Sequence, residues 1–82
     1  MSLSLIAYGF NEEENIHNFI KEAYKFCKLI TKNFEIIYLD DGSTDNTLKI
    51  IKELRKERKY KIKIFINLKN KGVGYNFRKI LK

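Results

Sequence analysis

The sequence predicts an α/β fold on a parallel sheet, and three observations point there. Short apolar runs alternate with longer segments of helical periodicity, the connections between them are short, and the order reads β-α-β-α-β-α. Parallel strands need crossover segments, and those between the apolar runs are long enough to form right-handed ones. At 82 residues, with 44% hydrophobic content and no proline, the chain is expected to make one small folded domain.

Residues 3–7, Leu-Ser-Leu-Ile-Ala, read as a buried first strand. Asn11, with Glu14 three residues on, resembles a capping box, and Glu12 and Glu13 suit the positive end of a helix dipole. The helix is expected over about residues 12–30, with Ile16, Phe19, Ile20, Ala23, Cys27 and Ile30 on its inward face. Residues 35–39 form a second buried strand, and residues 44–59 a second amphipathic helix with Leu48, Ile51 and Leu54 inward. Ile62, Ile64 and Ile66 alternate with Lys61, Lys63 and Phe65, the period of a strand with one more polar face. After the loop Lys69-Asn70-Lys71-Gly72-Val73-Gly74, a helical pattern starts near Tyr75 and stops at Lys82. Residues 1–82 therefore read as a single partial domain, a piece of a larger one.

Composition narrows the function classes. No apolar run approaches the roughly 20 residues that span a bilayer, and residues 1–8 lack the basic start and long apolar core of a signal peptide. The one cysteine, Cys27, cannot form an internal disulfide and falls on an apolar helix face, so it reads as packing in a reducing, cytoplasmic compartment. The net charge of +7 is split: residues 1–48 carry −4 and residues 49–82 carry +11. Such a basic half suits an anionic partner, and a lysine-rich composition that solvates a helix explains it equally well. No zinc spacing or aromatic RNA-binding signature supports nucleic-acid binding.

The chemistry concentrates in Tyr38-Leu39-Asp40-Asp41-Gly42-Ser43-Thr44-Asp45, where an apolar strand gives way to a helix. Open α/β sheets hold ligands at the carboxyl ends of their strands. Gly42 permits the tight turn, Ser43 can cap the helix, and Asp45 suits its positive end. A satisfied strand-to-helix turn accounts for these residues but does not require a second acid. Two carboxylates suit a nucleobase, a ribose or a metal better than a bare phosphate. The same edge is expected to collect Phe10 and Glu12 after the first strand, Lys71 and Gly72 after the third, and Arg78 one turn into the last helix. An aromatic face, acids, a backbone loop and cations together fit a nucleoside diphosphate. Taken alone, Phe10 reads as core and Arg78 as a solvated helix residue.

In order, these residues resemble the donor-binding half of family 2 glycosyltransferases, which have the GT-A fold, a three-layer Rossmann-like architecture. The family's opening loop I-P-A-Y-N-E-E-x-N-I is similar to Ile6-Ala7-Tyr8-Gly9-Phe10-Asn11-Glu12-Glu13-Glu14-Asn15-Ile16. Its V-D-D-G-S-T-D-x-T is matched by Leu39 to Thr47, and its N-x-G-x-G by Asn70-Lys71-Gly72-Val73-Gly74. The resemblance covers essentially the whole chain, with a polyprenyl-phosphate or cell-surface-polysaccharide flavour. Tyr8 stands where the family has proline, Gly9 where it has alanine, and Val73 where it often has lysine.

The resemblance implies roles. Phe10 would pack on the base, Glu12 would lie near the nucleoside, Asp41 would read the base with Asp40 as its support, and Lys71, Gly72 and Arg78 would approach the diphosphate. It implies a UDP- or GDP-linked sugar as donor and a polysaccharide, lipid or polyprenyl-phosphate acceptor, at the cytoplasmic face of a membrane or in peripheral contact with it. It also implies a Mn²⁺ or Mg²⁺ ion on a D-x-D motif, which this sequence lacks. Neither that motif nor the downstream half with its acceptor pocket and base is present, so the chain is not expected to transfer sugar alone. In the fold it resembles, the first strand is interior. An open first strand would then meet a missing C-terminal half or a second copy. The alternative is a non-catalytic remnant or assembly module without nucleotide binding. A dinucleotide-binding unit fits poorly, with Phe77 where a third glycine belongs, and so does a phosphorylatable receiver, with Asn67 ending the third strand. An EF-hand reading of Asp40 to Asp45 fails on the spacing of its oxygen ligands.

Overall fold

A computed structural model describes residues 1–67 of the chain. Lys71, Gly72, Arg78 and the helix expected from Tyr75 lie outside the described residues.

Three strands form one parallel sheet in the order β1 (Leu3–Gly9), β2 (Phe34–Asp40), β3 (Ile62–Ile66). Between them run α1 (Ile16–Ile30) and α2 (Thr47–Arg55), and a short 3-10 turn at Arg58–Tyr60 leads into β3. The register pairs Gly9 with Asp40 and Asp40 with Ile66, so three strand ends lie level at one carboxyl edge. Because the strands advance in one direction, right-handed crossovers put both helices on the same face.

That face holds the core. Ile16, Ile20, Ala23 and Cys27 of α1 and Ile51 and Leu54 of α2 pack on Phe34, Ile36, Tyr38 and Ile62. Each fully buried isoleucine contributes roughly 1.5–3 kcal/mol. Cys27 is buried as expected, and burial pushes its thiol pKa up. At the amino edge Tyr24 meets Tyr60 edge-on at 5.1 Å and Phe34 at 5.9 Å, geometry that favours ring quadrupoles.

Several expected boundaries are corrected. α1 starts at Ile16 rather than near Glu12, because Asn11 has a positive φ of 52° and turns away from the helix. Its side chain bonds another loop, so the Asn11–Glu14 capping box does not form. Phe19 and Ile30, expected inward, are 39% and 41% exposed on the flank of α1 beside the buried stripe. α2 ends at Arg55 instead of running to Lys59, since the chain turns to bury Tyr60 and enters β3 through Lys61 at φ 53°. β1 is half-buried rather than buried: Leu3, Leu5 and Ala7 pack on the core while Ser4, Ile6 and Tyr8 alternate outward.

The second face of the sheet carries a polar ladder. Ser4 Oγ donates to Glu35 Oε2 at 2.6 Å, and Lys63 Nζ pairs with Glu35 Oε1 at 2.9 Å, joining three strands. The Ser4 hydroxyl, followed by Lys63, holds the Glu35 carboxyl below the usual carboxylate range.

Candidate functional site

The loop after β1 and the loop after β2 are fastened to each other at the carboxyl edge, chiefly by Asn11. Its backbone N–H donates to Ser43 Oγ at 2.9 Å, and its Oδ1 accepts from the N–H groups of Thr44 at 2.8 Å and Asp45 at 3.3 Å. Its Nδ2 also donates to Thr44 Oγ1 at 3.3 Å. An asparagine tolerates the left-handed backbone this requires better than most residues. Next along the chain, Glu12 N–H donates to Thr47 Oγ1 at 2.8 Å and Glu13 N–H to Asp45 Oδ2 at 3.3 Å. The N-terminal end of α2 is thereby held by side chains of its own loop and by the neighbouring loop's backbone.

The two adjacent acids have different surroundings. Asp40 is fully buried, and its carboxylate accepts from Ser43 N–H at 2.8 Å and from Ser43 Oγ at 2.6 Å. Ser43 therefore does not cap the helix as expected; its hydroxyl closes the turn back onto Asp40. Asp45 takes the capping role, with Oδ1 accepting from the N–H of Thr47 at 2.9 Å and from its hydroxyl. Gly42, between acid and cap, has φ 79°, a conformation glycine adopts without steric cost. Asp41 is 2% exposed; its N–H donates to Gly9 O at 3.0 Å, and Asn67 Nδ2 approaches its Oδ1 at 3.5 Å. Asn67, at the end of β3, also donates its N–H to Asp40 O at 2.9 Å.

Phe10, Glu12, Asp40 and Asp41 thus lie on two loops at one edge. Phe10 is 41% exposed there, so the expectation that it is core is corrected. Glu12 lines a cleft of about 260 Å³ between β1 and the start of α1, with Ala7, Tyr8, Asn15, Ile16, Phe19 and Tyr38. Lys71, Gly72 and Arg78 lie outside the described residues. Asn11, Thr47 and Asn67 also build the site; Asn11 and Thr47 fall within the motifs read from the sequence, although neither partner could be read there, and Asn67 carries no such signal.

Tyr38 also reaches this region from β2. Its hydroxyl is buried with no hydrogen-bond partner among the described residues. Burial first, then the charges of Asp40, Glu12 and Asp45, keep it protonated well above the ordinary phenol range.

The loop carries a pH dependence. Partial desolvation raises the Asp45 pKa, but the hydrogen bonds from Thr47 hydroxyl, Thr47 N–H and Glu13 N–H outweigh it and leave the group lowered. Glu35 is lowered as well. Groups depressed in the folded state stabilise it above their unfolded pKa and lose that contribution as pH falls through the folded one. The urea midpoint is therefore expected to hold near neutrality and decline below about pH 4. Asp45→Asn combined with Glu35→Gln should flatten this decline. An acid limb unaltered in the double variant would show that other carboxyl groups set it.

Among the described residues no three His, Cys, Asp or Glu side chains converge on one point. With both oxygens of Asp40 engaged by Ser43, the described residues do not fit a divalent-cation site. No helix among them is long and apolar enough to cross a membrane.

Comparison with known proteins adds three findings. A family model described as glycosyl transferase family 2 matches residues 4–82. Over 85 residues, 98% of the chain, the sequence is 39% identical to a dolichyl N-acetyl-α-D-glucosaminyl phosphate 3-β-D-2,3-diacetamido-2,3-dideoxy-β-D-glucuronosyltransferase of Methanococcus voltae, covering 25% of that protein. Over 51 residues, 62% of the chain, it is 35% identical to an undecaprenyl-phosphate 4-deoxy-4-formamido-L-arabinose transferase of Proteus mirabilis, covering 16% of it. The chain spans a quarter or less of the length of these curated relatives.

Proposed function

Since this chain belongs to glycosyl transferase family 2, we propose that its carboxyl-edge loops are the donor-binding part of a nucleotide-sugar transferase. The observation that supports this most is that the loops after β1 and β2, which carry Phe10, Glu12 and Asp41, are fastened together at the carboxyl edge of the sheet. Asp41 directly follows β2, with its N–H on Gly9 O and Asn67 Nδ2 at 3.5 Å from its Oδ1, and Phe10 directly follows β1 and is 41% exposed. A carboxylate there can accept from a ring N–H, and Phe10 offers a face on which a base can stack. Glu12, at the mouth of the neighbouring cleft, borders the nucleoside, and Lys71, Gly72 and Arg78 approach the diphosphate.

The donor is a UDP- or GDP-linked sugar. By analogy with relatives named for undecaprenyl-phosphate and dolichyl-linked sugars, the acceptor is a lipid phosphate or its glycan at the cytoplasmic face of a membrane. A divalent cation would neutralise the departing diphosphate, held by residues other than those described. Sugar transfer needs that cation site and a base to deprotonate the acceptor hydroxyl, so the 82-residue chain is proposed to bind donor without transferring sugar.

Amide NMR titration of the chain with UDP, GDP and CDP, each with and without Mg²⁺, tests this reading. One nucleotide should shift the amides around Phe10 and Asp41. Loss of the charged acceptor in Asp41→Asn should weaken binding about tenfold or more. Phe10→Ala should cost about tenfold through lost stacking. A dispersed spectrum indifferent to all three nucleotides would overturn the proposal and favour the non-catalytic remnant.

A further inference from the structure

We propose that Tyr38 is a positioning residue of the donor site: its buried hydroxyl donates to the Glu12 carboxylate when nucleotide is bound, and so sets that acid for the nucleoside. The inference rests on the donor-binding reading above and adds to it a residue from inside the sheet.

The hydroxyl is a donor in need of an acceptor. Tyr38 is 2% exposed, and its hydroxyl is enclosed with no hydrogen-bond partner among the described residues. A buried donor left unpaired is costly, so a bound state that supplies its acceptor is favoured. Three carboxylates act on the phenol through their charge, those of Asp40, Glu12 and Asp45. Two of them are committed within their own loops. Asp40 accepts twice from Ser43, and Asp45 accepts from the N–H and hydroxyl of Thr47 and from Glu13 N–H. Among the described residues the Glu12 carboxylate accepts only from Asn15 Nδ2, at 3.5 Å, beyond the usual length of such a bond.

The backbone brings phenol and carboxylate together. Both the Tyr38 hydroxyl and Glu12 Cγ border the space that a Cβ at Gly9 would fill, Cγ at 3.0 Å and the hydroxyl closer still. A glycine leaves that space to the two side chains. Glu12 itself is anchored at its main chain. Its N–H donates to Thr47 Oγ1 at 2.8 Å, and its carbonyl accepts from the N–H groups of Asn15 at 3.0 Å and Ile16 at 2.8 Å. Its side chain therefore moves by rotamer change about a fixed Cα, and its oxygens, two bonds beyond Cγ, swing onto the hydroxyl.

The ligand benefits from the orientation this imposes. A carboxylate offers two oxygens and about four acceptor positions. The phenol takes one position through a charge-assisted bond, and the other oxygen is left at the mouth of the cleft for a ribose hydroxyl or a ring N–H. Burial and the neighbouring acids raise the phenol pKa, so Tyr38 stays a donor across the neutral range.

Nucleotide titration of Tyr38→Phe separates this role from a structural one. The variant should keep or slightly raise the urea midpoint of the free chain, yet bind the nucleotide that shifts wild type about tenfold more weakly. In a Glu12→Ala background the same change should weaken binding no further, because the acceptor is gone. The Tyr38 hydroxyl proton supplies a direct signature: adding that nucleotide to wild type should bring out a downfield, slowly exchanging NMR signal that is missing in Glu12→Ala. If wild type binds and Tyr38→Phe binds equally well, or the two losses simply add, the positioning role is overturned while the donor-site reading stands. A wild-type chain that binds none of the nucleotides would overturn both.

Discussion

Asp40→Ala is expected to lower the unfolding free energy by about 3 kcal/mol, the largest loss from any single side chain in the two loops. The wild-type carboxylate is fully buried and accepts from Ser43 N–H and Ser43 Oγ at 2.8 and 2.6 Å. Hydrogen bonds to a charged group contribute about 1.5–3 kcal/mol each, and deleting the acceptor leaves a buried N–H without a partner. A domain of this size holds roughly 4–12 kcal/mol in total, so the change removes a large share of it. Asp40→Asn keeps the shape but turns an NH₂ toward one of the Ser43 donors, and should cost about half as much. Urea unfolding followed by circular dichroism measures both variants. An Asp40→Ala midpoint within error of wild type would mean that the Ser43 contacts contribute nothing net and that the loop is held by its other bonds, those of Asn11, Glu12, Glu13 and Asp45.

Particular residues show what a sequence can carry. Strand β3 is legible because Ile62, Ile64 and Ile66 alternate with charged or aromatic neighbours, and a two-residue period belongs to a pleated strand with one buried face. The turn after β2 is legible for a similar reason: adjacent acids, a glycine and a hydroxyl leave few conformations open. The partners of those groups are not. Ser43 reads as a helix cap because a hydroxyl before a helix caps most often, yet a buried carboxylate three residues back competes for it and wins. Asn11 reads as the start of a local capping box. Its real bonds reach 33 and 34 residues away, a separation at which local pattern carries no information. Periodicity also does not separate Phe19 and Ile30 from the buried stripe, since a helical angle of about 60° divides the centre of an apolar face from its margin. In each case local chemistry decides which groups need a partner, and the tertiary fold decides which partner they take.

The pair Gly9 and Tyr38 takes this furthest, because each residue is intelligible only through the other. A Cβ at Gly9 would collide with the Tyr38 hydroxyl and lie 3.2 Å from Tyr38 Cζ and 3.0 Å from Glu12 Cγ. Tyr38 is 2% exposed and its ring is enclosed by the core, so it has little room to withdraw. Gly9→Ala is therefore expected to destabilise the domain by about 1–3 kcal/mol, the usual range for overpacking. Tyr38→Phe removes the colliding oxygen, and that hydroxyl has no hydrogen-bond partner among the described residues. By itself the change should be neutral or slightly stabilising, since a buried unpaired polar group is lost. In the double variant the alanine should cost less than in wild type, with a coupling of about 1 kcal/mol or more. Some cost should remain, because Tyr38 Cζ and Glu12 Cγ stay in place. Four urea titrations complete the cycle. If the two changes simply add, the hydroxyl is not what excludes a side chain at position 9, and the constraint there comes from the Glu12 loop instead.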